Sequence, residues 1–267
     1  MKFLRIGLLC FLSVSLTVGQ PRENPHSQRT AKGETDQKKL DQFKNKYLAK
    51  NVQTSRKGKD VRMSYYDLLL EINQRDLGSE SLRLYDDVTD IFSDPSNESK
   101  RLQYLGHFPK RFAEFTDIFD PPDFGELYHT SELFLLLLED IIKDYPQRGA
   151  VLLVALAREA KYSADAPAHL QKICSIFIHD FYDDFIVEFN KLNGQDELKA
   201  VDFLADYENF DGNSVFEGII SKLEEKNNGG LLKKFLAAKE KRRARRDHDR
   251  GHASALFFSS LDSGQSL

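Results

Sequence analysis

Residues 165–194, DAPAHLQKICSIFIHDFYDDFIVEFNKLNG, decide the fold class. Leu170, Cys174, Phe177, Phe181, Phe185 and Phe189 recur at steps of three and four residues, the spacing of one face of an α-helix. Ile173, Ile178 and Ile186 widen that stripe until several neighbours are needed to cover it, so this helix belongs at the centre of a core. Asp165 reads as its cap, Pro167 as a residue of its first turn and Gly194 as its stop.

The same period repeats outward. Tyr65 to Gln74 reads as a helix behind Ser64. Ser79 opens another, with Leu82, Tyr85, Val88, Ile91 and Phe92 inside and Pro95 at its end. Glu98 to His107 and Pro109 to Phe119 follow. An apolar helix runs from Thr130 or Ser131 to Tyr145, a turn covers Pro146 to Gly149, and a second apolar helix runs from Ala150 to Tyr162. Glu197 to Tyr207 and Ser214 to Lys226 are two more, and Asn227-Asn228-Gly229-Gly230 reads as a hinge before a basic helix. No stretch alternates long enough to read as a strand, and residues 51–60 read as a basic loop. The expected class is therefore all-α: a single bundle-like domain over 35–230 with flexible basic arms at both ends, a disordered one over 20–34 and, beyond residue 230, a basic amphipathic helix over 231–246 followed by a disordered tail over 247–267. With 20 Phe and 10 Tyr the core should be rich in aromatic rings.

The first 19 residues read as a secretory leader. Lys2 and Arg5 start it, Ile6 to Val18 is its apolar stretch, and Thr17-Val18-Gly19 offers small residues before a cut at Gln20. That stretch is too short to span about 30 Å of hydrocarbon. A secreted, extracellular chain follows as the expectation. Removing the leader takes Cys10 with it and leaves Cys174 alone, so no internal disulfide is expected. Cys174 stands among Ile173, Ile176, Phe177 and Ile178, which suits a small core residue; a dimer through an intermolecular disulfide is the sharper alternative.

Charge is unevenly spread. Residues 21–62 carry 12 Lys/Arg against 5 Asp/Glu, residues 63–230 carry 15 against 33, and residues 231–250 carry 9 against 3. An acidic body with two basic ends holds like charges together, which favours contact with solvent, with each other or with a partner of opposite sign. Lys241, Arg242, Arg243, Arg245 and Arg246 at one end, and Arg56, Lys57 and Lys59 at the other, form clusters of the kind that hold sulfated glycans, because guanidinium forks match sulfate geometry. Three other readings of the carboxy-terminal run stay open: a convertase site, Arg243-Ala244-Arg245-Arg246, cut after Arg246; a helix lying on an anionic membrane through Leu231, Leu232, Phe235 and Leu236; and a solvated tail that offsets the acidic body. The leader argues against a nuclear signal, and nucleic acid is not an expected partner.

Asn97-Glu98-Ser99 is an N-glycosylation sequon. His179-Asp180, with His169 and His129, is the material of a metal site, but a continuous helix would turn Asp180 about 100° from His179, and a polar face opposite the Phe stripe explains these residues. Asp206 to Gly218 lacks the first Asp and the last Glu of a calcium loop. The expected function is non-enzymatic binding to an extracellular protein or sulfated glycan, without a metal or other cofactor. The alternative is a proprotein activated at Arg246.

Overall fold

The computed structural model describes residues 51–56, 59–72, 76–119, 126–161, 165–205 and 214–244. All of them lie in the compact unit Leu40–Leu267. The expected leader and its cut at Gly19, the amino-terminal arm, Lys57, the turn 206–213, Arg245, Arg246 and the tail lie outside the described residues.

An antiparallel hairpin, β1 (Asn51–Arg56) and β2 (Lys59–Ser64), leads into α1 (Tyr65–Ile72). This corrects the basic loop expected over residues 51–60. The register sets Val52 opposite Met63 and Thr54 opposite Val61, a short alternation that the surrounding charge hides in the sequence. The rest is helical: α2 (Ser79–Ser93), α3 (Glu98–His107), α4 (Phe112–Phe119), a 3-10 turn at Tyr128–Thr130, α5 (Ser131–Asp144), α6 (Pro146–Ala157), α7 (Ala166–Asp180), α8 (Tyr182–Phe189), α9 (Gly194–Leu204), α10 (Ser214–Glu225) and α11 (residues 229–244). The all-α class holds, with the hairpin as its one addition among the described residues.

The Phe stripe lies at the centre as expected. Helix α7 touches α4, α5, α6, α8, α9 and α10, and Leu170, Ile173, Cys174, Phe177 and Ile178 are buried. It is not one helix, however. The chain breaks at Phe181 (φ −129°, ψ 42°), and α8 starts afresh with Asp183 and Asp184 in its first turn. The helix dipole favours carboxylates in a first turn and gives them nothing in the middle of a longer helix, so this pair suits a start. Phe181 serves both pieces: its N–H donates to Phe177 O (2.8 Å) and its carbonyl accepts from Phe185 N (3.0 Å).

Two expected boundaries move for reasons of capping. Gly194 does not stop the preceding helix; it opens α9, where Asn193 Oδ1 accepts from the N–H groups of Gln195 and Asp196 (both 3.0 Å). Pro146 does not make a turn with Gly149; it starts α6, its fixed φ suiting a first helical turn. Gly149 then sits where α6 meets α5 and α7 with no room for a side chain: a Cβ added there would meet Ile142 Cβ at 2.8 Å and Phe177 Cε2 at 3.0 Å. Beside them an aromatic column runs through Tyr104, Phe108, Phe115, Phe119 and Phe134, with successive ring centroids 5.3–6.4 Å apart. Tyr104, fully buried, donates its hydroxyl to Phe134 O at 2.7 Å.

Candidate polyanion-binding face

The expected basic helix exists, and its apolar face docks. Leu231, Phe235 and Ala238 recur at steps of four and three, and all three are buried in the core. Phe235 lies 6.5 Å, ring to ring, from Phe216 of α10. Through Ala244 this segment is therefore part of the domain and not an arm beyond residue 230. The expected hinge is a tight turn: Asn227 takes a left-handed conformation (φ 54°), and Asn228 caps α11 by accepting from Leu231 N at 3.2 Å while donating Nδ2 to Tyr182 Oη at 2.8 Å.

Docking places the flanking cations on acidic groups of the body. Lys234 Nζ reaches Glu197 Oε1 at 2.5 Å, and Lys241 Nζ reaches Asp202 Oδ2 at 3.5 Å, both on α9. On the other flank Lys239 lies 4.0 Å from Glu217 and 5.0 Å above the Phe216 ring. Arg242 donates to the carbonyl of Asp202 at 3.3 Å. These contacts seat α11 between α9 and α10. Lys233, Arg243 and Ala244 face solvent. Of the sequence-picked residues, the structure thus brings Lys241, Arg242 and Arg243 together at one end of α11. At the other basic cluster the hairpin register sets Arg56 opposite Lys59.

The remaining candidates fall elsewhere. His179 Nδ1 lies 2.8 Å from Asp180 Oδ1, the two side chains meeting at the last residues of α7, and both are exposed. Asp183 is on the next helix, held by Lys226 at 3.0 Å. His129 stacks edge-on with Tyr128. Among the described residues no three His, Cys, Asp or Glu side chains gather as a metal would need. Cys174 is fully buried, and burial pushes its thiol up to about 12. A bridge to another molecule through it would require the core to open. Asn97 caps α3 at the surface, accepting from Lys100 N at 3.3 Å and donating Nδ2 to Asp94 Oδ2 at 3.2 Å.

No family model, curated protein or solved structure matches this chain. No described helix is long and apolar enough to cross a membrane.

One constellation escapes the sequence reading. Asp87 on α2 is buried, at 2% exposure, and lies 2.8 Å from both His107 Nδ1 and Gln103 Nε2 of α3. Burial raises the carboxyl above its ordinary value, and the bonds from His107 and Gln103 act against that rise. The three residues are separated by 16 and 20 positions, so no local motif reveals them.

Proposed function

We propose that this chain is a secreted, non-enzymatic binding protein whose basic ends engage polyanions, sulfated glycans being the chemistry its guanidinium groups match best. The observation that carries the reading is the seating of α11. Its apolar face and its pairs with Glu197, Asp202 and Glu217 hold the helix in place, so Arg243 is displayed at a fixed position, one residue short of Arg245 and Arg246 in the sequence. A cation on a docked helix loses less freedom on binding than one on a free tail. The test is heparin chromatography of the mature protein. Wild type is expected to need added salt for elution, and the triple variant Arg243→Gln, Arg245→Gln, Arg246→Gln to elute at clearly lower salt. Identical elution salts would remove the reading.

Processing after Arg246 is the second reading, favoured by the exposure of Arg243 and Ala244, the first two positions of the convertase pattern. Those two residues lie in a helical turn, so cleavage would need that turn to open. The intact mass of secreted material decides it: a species ending at Arg246, or trimmed from it, supports cleavage. The same spectrum tests the leader and the sequon, which predict a chain starting at Gln20 and carrying a glycan on Asn97.

A further inference from the structure

The body from residue 63 to 230 carries 33 acidic against 15 basic residues, yet one cleft on it reverses that balance. It opens beside α2 and the connection from α3 to α4, holds about 340 Å³, and is lined by Arg83, His107, Lys110 and Arg111 together with Glu80 and Glu114. Among the described residues none of the three cations and neither carboxylate is spent in an ion pair. His107 is held from behind. An ionised carboxylate can only accept, so the 2.8 Å contact with Asp87 assigns a hydrogen to Nδ1 and leaves Nε2 for the cleft. That nitrogen accepts from a hydroxyl when the ring is neutral and donates to an oxyanion when it is charged. Asp87 in turn is fixed by Gln103.

We propose that this cleft binds a sugar or similar polyol carrying a phosphate or sulfate ester. Arg83, Lys110 and Arg111 supply the charge that a tetrahedral oxyanion needs, and forked guanidinium donors match its oxygens. Glu80 and Glu114 would repel a bare anion but accept hydrogen bonds from hydroxyl groups beside it. His107 is a binding residue, and Asp87 is the positioning residue that orients it. The site is separate from α11 and stands whether or not α11 binds polyanions.

Calorimetric titration of the mature protein with a glucose sulfate monoester, a glucose phosphate monoester, inorganic sulfate and glucose tests this. Saturable binding of at least one ester is expected, with inorganic sulfate weaker and glucose silent. Arg83→Gln and Arg111→Gln should each weaken the ester by about tenfold, as loss of a charge-assisted hydrogen bond does, while Lys172→Gln on α7 leaves it unchanged. Asp87→Asn should weaken binding and change the His107 tautomer seen by long-range 1H–15N spectra, which a purely structural role would not do. The triple variant at Arg243, Arg245 and Arg246 should keep the ester affinity. No saturable binding of either ester, or folded Arg83 and Arg111 variants that bind as wild type, would overturn the proposal. Inorganic sulfate binding as tightly as the esters would equally overturn it, by showing an anion site without the sugar.

Discussion

Gly149 shows how much a single position can decide. A methyl group there has nowhere to go, since both neighbours it would strike, Ile142 and Phe177, are branches of the packed core. Gly149→Ala is expected to lower stability by about 1–3 kcal/mol, the usual cost of overpacking, despite the better helix propensity of alanine; denaturant titration reads it directly. Cys174 is constrained in a different way. Its thiol is silent because it is buried, so a thiol reagent at neutral pH should label the native protein far more slowly than the unfolded chain. Fast labelling without unfolding would show that α7 opens. Burial of Cys174 was readable from the apolar residues on both sides of it. The role of Gly149 was not, because its neighbours are seven and twenty-eight positions away and only packing brings them together.

At the scale of elements, α11 poses a question of magnitude. Its ion pairs are numerous but partly exposed, and such pairs contribute about 0–1 kcal/mol each. Phe235, at 1% exposure against Phe216, is another matter: Phe-to-Ala changes in cores cost about 3–5 kcal/mol. Phe235→Ala should therefore destabilise the protein several times more than Lys234→Gln or Lys241→Gln, each measured by denaturant titration. The reverse order would mean that charge, not apolar burial, seats the helix. Most helices were legible from their 3.6-residue period because their apolar faces are wide. The hairpin was not, because four short apolar or β-branched positions among basic residues look like a charged loop until pairing gives them a partner. The division of α7 from α8 was hard to see for the opposite reason: the Phe stripe runs on without interruption across Phe181, and only Asp183 and Asp184 signal a new start.

For the whole molecule, the buried acids set a limit at alkaline pH. The Cys174 thiol is raised from its ordinary 9.0 to about 12, and burial holds the Tyr104 phenol well above 10.0. Both groups bind their protons more tightly folded than unfolded. The thiol's contribution to stability is thus whole below pH 9.0 and is lost as pH climbs towards about 12, and the phenol's is whole below 10.0 and is lost above it. Unfolding midpoints across that range should fall, and Cys174→Ala should flatten part of the fall; an equally steep profile would show that the thiol takes no part. Charge distribution was legible from composition, since block counts need no structure. What composition could not give is that the basic helix spends four of its cations on the acidic body, which only the three-dimensional seating reveals. That seating also orders events during synthesis. The surface of α10 around Phe216 leaves the ribosome before the segment that shields it, and that segment folds back onto it through the left-handed corner at Asn227. Each nascent chain therefore passes through an interval with a greasy seam uncovered, and a chaperone that holds the seam until residues 229–244 arrive would raise the yield of folded protein.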